Sequence, residues 1–194
     1  MTGQDVFAQD HYVIRRKVLQ IFGSSFHLND ATGSLVGFSR QKAFKLKEDI
    51  RLYMDETCTS ERLAILARQM LDFSPMYDVI DAQAQQPVGT LRRRGFKSIL
   101  QDEWTIIDAQ GREIGLIRED SLPLALLRRY LSNLIPQTFH ATVGDTQVAT
   151  FRQNFNPFVR KLAVEIHPAA QGLVDRRLLL AGAVLLVAIE GRQQ

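Results

Sequence analysis

The stretch that most constrains the fold is the last apolar run, Leu178 to Ile189. It has twelve residues without a polar side chain, fenced by Asp175-Arg176-Arg177 before it and Glu190-Gly191-Arg192 after it. As a helix it would be roughly 18 Å long. A bilayer core needs about 20 apolar residues, whereas runs of about 10–14 are more often core helices. Leu, Ala and Gly dominate, Asp175 is placed to cap the start, and Gly191 is placed to end it. A helix apolar on every side has to be enclosed by protein or by lipid. Its length favours protein. Leu178, Gly182, Leu185, Leu186 and Ile189 are therefore expected to be a structural core.

What encloses that helix has to come from the rest of the chain. At 194 residues the chain suits one domain. Residues 1–10 are expected to be a flexible N-terminus and 11–194 a single folded unit. The net charge of +3 is too mild to imply general affinity for nucleic acid. Cys58 is the only cysteine, so no internal disulfide can form, which fits a reducing compartment. Met1 to Asp5 contain no basic segment leading into an apolar one. A cytoplasmic location is expected, with peripheral membrane contact as its variant.

Upstream of the run the chain reads as strands. His11–Phe22 is rich in β-branched and aromatic residues, with an Arg15-Arg16-Lys17 centre that leaves some helix ambiguity. A polar turn at residues 29–33 separates two strand-like stretches, the signature of a hairpin. A weak repeat follows: a small residue and, three positions later, arginine, as in Gly37…Arg40, Gly89…Arg92, Gly115…Arg118 and Ala149…Arg152, with Ile65…Arg68 a looser copy. Alternation along a strand puts the two members on opposite faces. The small residue is expected to face a close contact and the arginine to face water. Units close on Asp55, Asp81 and Asp108, residues that start tight turns. Ser121–Leu131, with its early Pro123, interrupts the pattern as a short helix near 122–131.

The fold expected is mainly β: a barrel of about twelve antiparallel strands with a central hydrophobic C-terminal α-helix and the extra helix. A closed barrel of that strand number is wide enough to hold something inside. Gly182 and the neighbouring alanines suit such an interior.

With Ile14–Phe22, Phe26–Phe44 and its Asn-Asp…Gly turn, Trp104–Gly111 and the final apolar helix in hand, the chain resembles the tubby C-terminal-like superfamily. The nearest branch is the LURP-one-related proteins, and phospholipid scramblases are cousins. The likeness runs from about residue 11 to residue 191 and rests on patterns, not on a fixed signature. It implies a twelve-stranded barrel wrapped around the C-terminal helix and a non-enzymatic role near membranes, where tubby-like domains bind phosphoinositide head groups. Scramblases carry an acidic calcium-binding segment before their last helix. Here residues 166–175 hold one carboxylate, Asp175, and calcium takes six to eight oxygens. No calcium site is expected.

Candidate chemistry is sparse. His11, His27, His140 and His167 lack metal-type spacing, so no metal and no cofactor is expected. No phosphate loop, dinucleotide fingerprint or nucleophile elbow is present. Cys58 shows no adjacent base and reads as a small, mostly buried thiol. The usable signal is basic: Arg40, Lys42, Lys45 and Lys47 in one repeat, and Arg92, Arg93, Arg94 and Lys97 in another, with Phe44 and Phe96 among them. Cations beside aromatics can hold an anionic phospholipid head group. The simpler reading is a solvated outer face balanced by acids. The functions carried forward are non-catalytic binding of anionic lipid at a membrane surface, with a scramblase-like membrane-associated protein or a protein-interaction module as alternatives. No protein partner is legible.

Overall fold

Twelve strands, each antiparallel to its neighbours in sequence, close into one barrel because the first also pairs with the last. The computed structural model describes residues 5–17, 24–41, 49–68, 74–94, 103–120, 137–154 and 159–189. The strands are β1 (His11–Lys17), β2 (Ser24–Asn29), β3 (Leu35–Gln41), β4 (Asp49–Tyr53), β5 (Glu61–Ala67) and β6 (Met76–Asp81). They continue as β7 (Gln86–Arg93), β8 (Glu103–Asp108), β9 (Glu113–Glu119), β10 (Thr138–Val143), β11 (Thr146–Asn154) and β12 (Val159–Ile166). A 3-10 turn at Pro168–Ala170 leads to helix α1 (Arg176–Ile189). The helix expected near 122–131, and the end expected at Gly191, lie outside the described residues.

The barrel has two unlike ends. Short turns between β2 and β3, β4 and β5, β6 and β7, β8 and β9, and β10 and β11 gather at one end, where α1 also begins; this is the turn side. The opposite end is the loop side.

Four of the five turns are built by chemistry the sequence announces. Asp30 accepts the backbone N–H of Thr32 and Ser34, Asp55 that of Thr57, Asp81 those of Gln83 and Ala84, and Asp108 those of Gln110 and Arg112, all at 2.9–3.0 Å. Such bonds replace a ladder with a side-chain-closed turn. The left-handed position three residues after the aspartate is Gly33 or Gly111 in two hairpins, but Cys58 in the third, at φ 56°. Cys58 is half-exposed there, not mostly buried, because the turn holds it at the surface with its Sγ 3.6 Å from the Glu56 carbonyl.

A regular defect explains the repeat. All five turn-side hairpins carry a β-bulge, in which two residues of the second strand face one of the first. The residue after each bulge is Gly37, Leu63, Gly89, Gly115 or Ala149. A Cβ on Gly89 would lie 2.3 Å from the Ile107 carbonyl oxygen, and one on Gly115 would lie 2.2 Å from that of Thr142. So the small residue answers mainly to the adjacent backbone at the bulge. Leu178 of α1 also presses on Gly89, with Cδ1 3.0 Å from that Cβ position, but Gly37 faces Val6 and Leu52 instead. The β5 hairpin aligns at Leu63, which places the looser copy Ile65…Arg68 two residues out of register.

Inside, Leu178 through Ala188 are all buried, so α1 is enclosed by protein. Burial is worth about 1.5–3 kcal/mol for each full Leu or Val side chain. A Cβ on Gly182 would meet Ile117 at 2.6 Å, so the helix approaches β9 as closely as glycine allows. Both helix ends are tied to the wall. At the turn side, Asp175 accepts the Arg177 backbone N–H at 2.9 Å, and the Arg177 guanidinium reaches Asp81 of β6 at 2.5 Å. At the loop side, Arg16 of β1 points inward and donates to the Val187 carbonyl at 3.1 Å, where a cation also complements the helix dipole.

Of the segment 1–10 expected to be a flexible N-terminus, residues 5–10 make contacts with the barrel, and residues 1–4 lie outside the described residues. Val6 is fully buried, because it fills the space over Gly37 and accepts the Tyr12 hydroxyl at 2.7 Å. Burial pushes the Tyr12 phenol up to about 12. Arg176 fastens the same segment through the Gln9 carbonyl and Asp10, each at 2.5 Å.

Candidate functional site

In an antiparallel barrel every odd-numbered strand here runs toward the loop side, so Arg40 at the end of β3 and Arg92–Arg93–Arg94 at the end of β7 arrive at the same end. They are not neighbours, since β4, β5 and β6 stand between them. Lys42, Lys45, Lys47 and Lys97, with Phe44 and Phe96, lie outside the described residues.

Alternation sorts the arginines. Arg40 points outward, is exposed, and lies over the Phe38 ring at 5.7 Å. Arg93 shares the inner face with Leu91 and stands 6.0 Å from the Trp104 ring, buried at the mouth of the barrel. Arg92 turns outward and pairs with Glu113 of β9. Arg94 reaches Glu103 of β8 at 2.7 Å and also donates to Thr105 at 3.3 Å. Arg118 of β9 holds the other oxygen of Glu103 at 2.7 Å. Glu103 is thereby gripped from both sides, and the outer faces of Glu103 and Thr105 are buried although they point away from the core. On this wall the expected basic run is an arginine–carboxylate lattice.

Arg15, Arg152 and Lys161 also project outward at the loop side; Arg152 faces water as its place in the repeat predicts, but none of the three is among the lipid-binding candidates read from sequence. The Arg15-Arg16-Lys17 centre of the first strand holds part of the missing signal. Alternation from Tyr12 and Ile14 puts Arg16 inside and Arg15 outside, but its cross-strand partner is invisible without the fold.

Charge is separated along the barrel axis. By backbone position the turn-side half carries twelve described carboxylates against four arginines. The loop-side half carries twelve described lysines and arginines against five carboxylates, with Arg51 at mid-strand. A net charge of +3 conceals this, because the two halves nearly cancel.

No group of three or more His, Cys, Asp or Glu that could hold a metal ion is found among the described residues. Nor is any helix among them long and apolar enough to cross a membrane.

A closed barrel around a C-terminal helix is the architecture the sequence pattern implies, and a family model described as LURP-one-related matches residues 35–187. The chain belongs to the LURP-one-related family. No curated protein matches it. The family match spans β3 through most of α1, so the LURP-one-related unit includes the enclosed helix and both charged halves.

Proposed function

We propose that this LURP-one-related barrel is a non-catalytic, cytoplasmic module that binds anionic phospholipid at a membrane surface through its loop-side half. One observation carries the reading: cations gather at one end of the axis and carboxylates at the other. Such a molecule is oriented by a negative surface, because its basic end is drawn in while its acidic end is turned away. The likeness to tubby-like domains, which bind phosphoinositide head groups, supports the same direction. A role in which α1 leaves the barrel for lipid is disfavoured by its burial and by the ties at both helix ends.

Flotation with phosphatidylcholine vesicles, with and without phosphatidylserine, tests the proposal. The full-length chain is expected to float only with the anionic vesicles, and less as salt rises. Equal recovery with neutral and anionic vesicles, or none with either, would sink it.

A further inference from the structure

Strand register builds a feature that no single segment of sequence contains. Phe38 pairs with His27, His27 with Arg15, Arg15 with Lys161, and Lys161 with Asn154. These five residues form one straight row across β3, β2, β1, β12 and β11, all on the outer surface. At about 4.8 Å per strand the row is roughly 20 Å wide. Arg40 flanks it on β3 and Arg152 flanks it on β11. Arg15 and Lys161 stand directly opposite each other, an arrangement in which like charges are destabilising. Among the described residues no carboxylate lies within ion-pair distance of Arg15, Arg40, Arg152 or Lys161. Within the row, between Phe38 and Arg15, His27 lies 2.6 Å from the Glu56 carboxylate.

A fold that neutralises the arginines of β7–β9 with Glu103 and Glu113 leaves Arg15, Arg40, Arg152 and Lys161 on this wall without a carboxylate partner among the described residues. We infer that the β3–β2–β1–β12–β11 wall is the part of the loop-side half that lies against an anionic bilayer, so that the barrel meets the lipid tilted onto this wall. The inference rests on the proposed lipid-surface function and says which face performs it. A bilayer asks only for positive charge spread over an area, and each basic residue near such a surface contributes separately. Single-stranded nucleic acid asks in addition for aromatic rings open to stacking. The rings in the row are Phe38, 3% exposed beneath Arg40, and His27, which packs edge-on against Phe38 and is held by Glu56, so neither ring presents an open face for stacking.

The test compares Lys161→Glu with Arg68→Glu, which makes the same change of charge one residue beyond β5, outside the row, at an arginine already paired with Asp78. Flotation uses phosphatidylcholine–phosphatidylserine vesicles, and thermal melts confirm folding. Lys161→Glu is expected to lower vesicle partitioning about tenfold, and Arg68→Glu to leave it within about twofold. Should Lys161→Glu fail to fold, Lys161→Gln replaces it, with a loss of about threefold expected. Equal losses for the two variants would overturn the choice of this wall and leave lipid binding standing. A wild type that ignores the vesicles would overturn both. So would a wild type that instead retains a single-stranded oligonucleotide.

Discussion

Two walls of one barrel carry outward cations at the same height and treat them in opposite ways. On β7–β9, Arg92, Arg94 and Arg118 stand beside Glu113 and Glu103, and a buried carboxylate is clamped between two guanidinium groups. On β11–β3, Arg15 faces Lys161, and Arg40 and Arg152 have only neutral neighbours in register: Ser25 and Ala163. The first wall uses its arginines to hold strands together. The second leaves them available for something outside the molecule. Residue type and exposure alone do not separate these uses; the cross-strand partner does.

The contrast can be broken most severely from inside. Both walls are supported by α1, so Leu185→Asp should remove several kcal/mol, because an unpaired charge would have to be buried or the site opened. Gly182→Leu should cost about 1–3 kcal/mol by driving atoms into Ile117. In thermal melts followed by circular dichroism, both variants should lose the whole barrel in one transition. A melt like that of the wild type would mean that the helix does not support the walls.

A smaller change should convert one wall toward the other. Glu103→Gln leaves Arg94 and Arg118 without their shared carboxylate, at an expected cost of about 1–3 kcal/mol. The same variant should bind anionic vesicles more tightly than the wild type, since two guanidinium groups are released. Loss of stability without gain in binding would show that these arginines stay occupied.

Acid should act on the turn side first. The Thr32 hydroxyl holds the Asp30 carboxyl below the usual range, the Thr57 hydroxyl does so for Asp55, and the Ala84 N–H does so for Asp81. Asp108 is pushed up by burial but brought down further by the Arg112 N–H and guanidinium. A carboxyl lowered in the folded state contributes stability that is complete above its unfolded value, near pH 4, and is lost as pH falls through its folded value. Denaturation midpoints should therefore be flat from about pH 7 to 5 and fall below about pH 4. In Asp81→Asn that fall should be shallower, measured by urea titration at each pH.

The mildest change should fall on the basic wall. Arg15→Gln removes one member of a like-charge pair, and stability should rise by a few tenths of a kcal/mol or stay level. A loss above about 1 kcal/mol would mean that Arg15 is structural, and the contrast between the walls would fail.

Much of the fold was legible before any coordinates. Leu178–Ile189 announced an enclosed helix by being too short for a bilayer and apolar on every side. Asp55, Asp81 and Asp108 announced turns through the chemistry of their side chains. The small-residue repeat was visible too, although its cause, a bulge that brings a carbonyl against the missing Cβ, was not. The site was less legible. Arg92 and Arg94 looked like free cations because Glu113 and Glu103 are neighbours only across the sheet. Arg15 and Lys161 are 146 positions apart in sequence and meet only through closure of the barrel. Val6 was missed because a lone valine in a polar segment carries no periodicity.

That closure also governs how the molecule comes into being. Every other strand pair joins neighbours in sequence and can form as the chain emerges from the ribosome. The seam between β1 and β12 cannot form until residue 159 is available, and the space inside stays unfilled until residues 176–189 follow. A nascent chain short of its last helix therefore presents an open sheet with two bare edges and an apolar inner face, the kind of intermediate that chaperones attend.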